Sequence, residues 1–291
     1  MALEFDEIKK KYKFHEETES FFELKAKNNI KPYTELSLEE AREANLNGAK
    51  LFGGETEFDG TIKEYFVPSI DCEVLIPVTV YRSRKCSSVV NPSVFIYFHG
   101  GGNVVGTRQT VDTICKIFSR DAPCVVVNVE YRLGPEHRFP ASCDDAKCVV
   151  RWAMMNKGLL GTPNNSVVGV GGDSAGGRLA AVVCHEVENI AYQVLIYPSI
   201  DFRRHLYKST EEFTNMPGLT MDMVKWFNDR FIDESDFENP RAYLPPTLFI
   251  LAELDMLKDQ GVAYHEKLKE AGVKSQTFTV KGVPHGFFHL P

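Results

Sequence analysis

Four short stretches hold residues whose types and spacing could do nucleophilic chemistry. Gly172-Asp173-Ser174-Ala175-Gly176 sets a serine among small residues, between the β-branched run SVVGV and the Ala-rich run AGGRLAAVV. That is a serine on a tight strand-to-helix turn, where the glycines relieve crowding and the helix start offers unsatisfied amides. A serine at its free pKa is a weak nucleophile and needs a general base. Downstream, Asp255 follows the apolar run TLFILA and His285 follows QTFTV. The chain order Ser, acid, His is the order this kind of turn uses.

The fourth stretch lies upstream. VFIYF runs into His99-Gly100-Gly101-Gly102. Glycines after a strand free the backbone to aim several N–H groups at one point, as a developing oxyanion requires, and each donor is worth ~10²–10³ in rate. The expected donors are the amides of Gly101, Gly102 and Ala175. A phosphate cradle is the competing reading, but neither Gly-x-Gly-x-x-Gly nor Gly-Lys-Ser/Thr is present. His99 is expected to brace the glycine loop rather than act as base.

Rivals exist for the acid and the base. Glu253, Asp259 and Asp201 also follow strand ends, and His289 lies four residues past His285. Surface ion pairing is the competing role for Glu253 and Asp259. Of the alternatives, Asp255 and His285 best fit the strand ends.

Such groups need a scaffold that brings distant strand ends together. The runs VFIYF, CVVVNV, SVVGV, YQVLIY, TLFILA and QTFTV are continuous and apolar, and helical patterns separate most of them. That alternation implies parallel strands covered by helices on both faces. Two alternating segments ahead of them, TIKEYFVPS and CEVLIPVTVYR, read as an antiparallel start. The expected fold is α/β: one domain over 1–291, with a mostly parallel eight-stranded sheet and helices on both faces. A helical cap is expected from 1–50 and 203–240. In the first of these, Ser37 and Glu40 have capping-box spacing. Phe21, Phe22, Phe202, Phe213, Met216 and Trp226 are candidates for lining a pocket beneath it, though core packing suits each of them individually.

Composition narrows the partners. The net charge of −7 disfavours nucleic acid and anionic membranes. No apolar run reaches the ~18–20 residues of a spanning helix, and the charged N-terminus lacks a signal-peptide core. Seven cysteines without a Cys-x-x-Cys pair point to a reducing, cytoplasmic setting.

Together, HGGG, VEYRLGPEHRFPA, GDSAGG, LIYP and the acid and His-Gly-Phe turns resemble the hormone-sensitive-lipase-like family of α/β-hydrolases. That family includes arylacetamide deacetylases and many carboxylesterases. The resemblance spans His99 to Phe287. It implies Ser174 as nucleophile, His285 as base, Asp255 as its orienting partner, and Asp173 as a support for the serine turn. It also implies hydrolysis of short- to medium-chain esters, sometimes amides, through an acyl-enzyme, with no metal or organic cofactor.

Plant gibberellin receptors resemble the same family but have lost the histidine. A non-catalytic receptor, or a pseudoenzyme on this scaffold, is therefore the alternative, and the presence of all three residues favours catalysis. Departures from the family are a short segment after Ser174, a direct run NPRAYLPPTLFI into a strand, and no terminal helix after His285. The last predicts bare apolar sheet surface, open to a partner subunit, as in a homodimer, or to aggregation.

Overall fold

The structure, a computed structural model, describes residues 3–234 and 246–290. Eight strands form one sheet: β1 (Gly60–Pro68), β2 (Leu75–Ser83), β3 (Val94–Phe98), β4 (Val125–Val129), β5 (Val168–Asp173), β6 (Tyr192–Ile196), β7 (Thr247–Leu254) and β8 (Ser275–Pro284). Their order is β1-β2-β4-β3-β5-β6-β7-β8. β2 runs antiparallel to β1 and β4, and every pairing from β4 to β8 is parallel.

The apolar runs are continuous because both faces are covered. On β3, Val94, Ile96 and Phe98 enter one hydrophobic cluster while Phe95 and Tyr97 enter another. The first cluster includes residues of α5 (Ala141–Met155), α6 (Ala175–Glu186) and α9 (Lys258–Glu270), and the second includes residues of α4 (Asp112–Asp121). This two-residue alternation is the pleat of the strand made visible by burial.

α6 is almost wholly buried, which its small residues permit. Its twelve residues span about 18 Å, enough to return the chain to the start of the short β6. The short segment after Ser174 therefore still completes a crossover. The direct run into β7 noted in the sequence lies largely outside the described residues.

Before the sheet come α1 (Phe5–Lys11), α2 (Glu16–Lys27) and α3 (Leu38–Phe52); between β6 and β7 come α7 (Lys208–Glu212) and α8 (Met221–Phe231). α3 starts at the expected capping box: Glu40 N–H donates to Ser37 Oγ at 3.2 Å, and Ser37 N–H to Glu40 Oε2 at 2.8 Å. Ile8, Phe14 and Ala41 share a third cluster with Phe213, Val224, Phe227, and Leu254 at the end of β7. Residues 235–240 of the expected cap lie outside the described residues. After β8, Phe287 and Phe288 pack back toward Tyr197 and Phe118, while Phe278 on β8 stays exposed.

The strand order reverses between β3 and β5. β3 leads outward to β4, and β5 leads the other way to β6. Ligands of open parallel sheets bind at the carboxyl ends beside such a switch. The loops after β3 and β5 carry the glycine run and Ser174.

Candidate active site

Ser174 stands between β5 and α6 with φ 54° and ψ −115°. A non-glycine residue held there is strained, and such strain persists only where its surroundings impose it. Ser174 N–H donates to Ile196 O at 2.9 Å, and Ser174 O accepts from Arg178 N–H at 3.2 Å and Ser199 N–H at 3.0 Å. The flanking glycines follow from close approach: a Cβ on Gly176 would overlap the Phe98 carbonyl oxygen.

The chain of groups expected from the sequence is assembled. Ser174 Oγ lies 2.9 Å from His285 Nε2, and His285 Nδ1 lies 2.8 Å from Asp255 Oδ2. Asp255 is buried, and its other oxygen accepts from Leu257 N–H at 2.9 Å. A carboxylate only accepts, so His285 Nδ1 carries the proton and Nε2 is left to take one from the serine. The Tyr197 ring packs against the imidazole, centroids 4.6 Å apart.

The rivals have other partners. Glu253 accepts from Lys281 Nζ at 2.7 Å and Gly282 N–H at 2.8 Å. Asp259 accepts from Ser209 N–H at 2.8 Å. Asp201 binds Arg203 and accepts from Tyr207 Oη at 2.7 Å, and these contacts hold its carboxyl down at about 2 against the upward push of burial. His289 Nε2 sits 2.9 Å from Asp173 Oδ2.

Asp173 is the hub of the support. Its Oδ1 accepts from Tyr97 Oη and from Gly100 N–H, each at 3.0 Å, while Oδ2 takes His289. Burial raises the Asp173 pKa, but the charge and hydrogen bond of His289 outweigh it, and the net shift is downward. Burial lowers that of His289, Asp173 outweighs it, and the net shift is upward. The serine turn and the glycine loop thus hang from one carboxylate.

The glycine loop is braced from its other side. His99 is fully buried, which lowers its pKa, and its Nδ1–H donates to Gly100 O at 2.7 Å. Tyr131 stacks on the His99 ring and donates to His99 O at 2.6 Å. Arg42 of α3 reaches the same loop, its Nε donating to Val104 O at 3.0 Å.

Gly101 adopts φ +108°, and a Cβ there would overlap the Val105 carbonyl. Gly101 and Gly102 amides have no hydrogen-bond partner among the described residues, and the Ala175 amide stands at the first position of α6, where helix amides are unsatisfied. All three residues line one cavity with Ser174 and His285. The cavity measures about 180 Å³. Among the described residues, no three His, Cys, Asp or Glu side chains converge as metal ligands.

The apolar lining differs from the residues singled out in the sequence. Of these, only Phe202 faces the cavity; the others there include Leu219, Met223, Phe227 and Phe231. Phe213, Met216 and Trp226 are buried in the third cluster, and Phe21 packs on Phe22 and Phe52. Sequence reasoning also passed over Tyr97, Tyr131, Arg178 and Arg204. A tyrosine in an otherwise apolar buried strand was a usable signal for Tyr97, because its hydroxyl must find a partner.

Residues 95–289 match the family described as alpha/beta hydrolase fold. An ethyl acetate hydrolase of Pseudomonas putida is 32% identical over 279 residues, covering 90% of this chain and 86% of that protein. Esterase LipI of Mycobacterium tuberculosis is 33% identical over 228 residues, covering 73% and 71%. A solved thermostable esterase from Pseudomonas putida superposes with a TM-score of 0.87 at 27% identity, covering 95% and 90%. The strand order, the serine turn and these likenesses agree: the chain belongs to the alpha/beta hydrolase fold family, among its carboxylesterase-like members.

Proposed function

We propose that this protein is a carboxylesterase that hydrolyses short- to medium-chain carboxylic esters through an acyl-enzyme on Ser174. The observation that carries the reading is the hydrogen-bonded chain Ser174–His285–Asp255 on a strained turn. His285 Nε2 takes the serine proton as Oγ attacks the ester carbonyl. Asp255 holds the imidazole in the required tautomer and stabilises the imidazolium. The amides of Gly101, Gly102 and Ala175 receive the developing oxyanion. The imidazolium returns its proton to the departing alcohol. Water then repeats the sequence on the acyl-enzyme and releases the acid.

The helices of 1–50 and 203–234 serve as a cap over the acyl pocket in this reading, supported by their shared cluster with the end of β7. A reducing, cytosolic setting is supported by seven unpaired cysteines.

Labelling with a fluorescent fluorophosphonate tests the reading. Wild type should label, Ser174→Ala should not, and His285→Ala should label far more slowly. Failure of folded wild type to label would overturn it. A panel of esters of rising acyl length then defines the substrate range.

A further inference from the structure

The cavity beside Ser174 holds two arginines. Arg178 is 6% exposed and Arg204 8%, and both line the cavity. The backbone of Arg178 is tied directly to the nucleophile's carbonyl, and Arg204 reaches it only through Ser199. Arg178 N–H donates to Ser174 O, and so does the N–H of Ser199, whose Oγ accepts from Arg204 at 3.1 Å.

Neither guanidinium has a carboxylate partner among the described residues. Arg178 donates to the Asn103 side-chain oxygen, and its guanidinium lies over the rings of Phe202, at 4.7 Å, and Phe231, at 4.6 Å. Arg204 donates to Asp201 O at 2.8 Å and to Ser199 Oγ, with Phe202 at 5.6 Å. The Asp201 carboxylate itself is taken by Arg203 and Tyr207. The Nε of each arginine is buried without a partner. Asp173 is the one acidic residue among the described cavity lining, and it is engaged by Tyr97, Gly100 and His289.

Two buried like charges with unused donors are costly unless something anionic satisfies them. Their electrostatics agree with this. Burial first, and the charge of Arg178 second, bring the Arg204 pKa down to about 10 against the upward pull of the Asp201 and Asp255 charges, and burial lowers that of Arg178. Face-on contact with phenyl rings offsets part of the cost but leaves the Nε–H of each guanidinium without an acceptor. Arginine edges of this kind match a carboxylate.

Resting on the esterase reading, we propose that Arg178 and Arg204 form an anion subsite and that the preferred substrates are esters carrying a free carboxylate. Hydrolysis is unchanged in its balance: ester and water give acid and alcohol, and the remote carboxylate only binds. The residues differ in what they supply. Arg178, one helical turn from the nucleophile, and Arg204, across the Ser199 hydroxyl, fix the length of the molecule rather than its reacting bond.

The test compares kcat/KM for matched pairs. Monoethyl adipate against ethyl hexanoate places the charge on the acyl side. The acetate ester of γ-hydroxybutyrate against butyl acetate places it on the alcohol side. The expected result is a charged-to-neutral ratio above one in one arm, falling at least about tenfold in Arg178→Gln, as the loss of a charge-assisted hydrogen bond would produce. Arg178→Lys should retain part of the ratio.

A ratio below one in both arms, in wild type that labels with fluorophosphonate, overturns the subsite and leaves the esterase reading standing. A ratio unchanged in folded Arg178→Gln and Arg204→Gln does the same. If those variants do not fold, wild type decides: adipate should inhibit more strongly than hexanamide, and the reverse order overturns the proposal. If wild type neither labels nor turns over any ester, the esterase reading fails by itself. Thermal stabilisation of Ser174→Ala by adipate but not hexanamide then supports the subsite, and equal or absent stabilisation overturns it.

Discussion

His289 Nε2 donates to Asp173 Oδ2 across 2.9 Å, joining the last turn of the described chain to the residue before the nucleophile. The contact closes a circuit. Asp173 also holds Gly100, so the histidine-bearing segment, the serine turn and the glycine loop share one charge. The histidine that rivals His285 in sequence is thereby a positioning group.

His289→Gln should cost about 1.5–3 kcal/mol of stability. The range is that of a hydrogen bond to a charged group; the His289 side chain is 26% exposed, so the full penalty of a deeply buried pair does not apply. The sign with pH follows from the two shifts. His289 is raised, so its contribution is complete below the free histidine value and is lost as pH rises through its folded pKa. Asp173 is lowered, so its contribution is complete above the free carboxyl value and is lost as pH falls through its folded pKa. The gap in melting temperature between wild type and His289→Gln should be widest between about pH 4 and 6.5 and shrink toward alkaline pH. A gap that widens toward alkaline pH would contradict the ion pair.

Asp255→Asn separates orientation from packing. Asn retains the oxygen that accepts from Leu257 N–H, so the turn after β7 is kept. Its amide cannot accept the Nδ1 proton in the same way, and the imidazole is driven to the wrong tautomer. By analogy with other Ser-His-Asp systems, kcat should fall by about 10⁴, with the melting temperature little changed. Equal turnover by Asp255→Asn would assign the orienting role to another acid.

Gly101→Ala tests the glycine loop. The residue stands at φ +108°, and its added methyl would overlap the Val105 carbonyl, so the loop must shift. Loss of one aligned amide should lower kcat by about 10²–10³ with a smaller effect on KM. A change confined to KM would place Gly101 in ground-state binding instead.

What the sequence made legible was local. SVVGV into a glycine-flanked serine needs only its own residues to specify a strand-to-helix turn, and VFIYF into three glycines is equally self-contained. Asp255 was separable from its neighbours only in part. The register shift between Ala252 and Leu254 sends Glu253 toward Lys281 and Gly282, and no pattern in a single strand announces that shift. The Asp173–His289 pair spans 116 residues and the Arg178–Asn103 contact 75, and such pairings have no signature in composition. The pocket lining turned on helix phase. Trp226 and Phe227 are adjacent, yet about 100° apart around α8, and it is Phe227 that faces the cavity.

Phe227 gives the last prediction. Its ring lies so close to Gly102 that a Cβ there would overlap it, which places the ring against the proposed oxyanion loop and in the wall of the cavity. Phe227→Ala removes that wall. The optimum acyl length should move to longer chains, because added methylenes gain room and contact, each extra one being worth about 1–3 kcal/mol of discrimination in such a pocket. The truncation also opens a void in the cluster of Ile8, Phe213 and Val224, at a cost of about 3–5 kcal/mol. Kinetics on a series of straight-chain esters, run beside thermal melts, read the two effects separately. An unchanged chain-length optimum in folded Phe227→Ala would mean that the acyl group lies along another wall, away from α8.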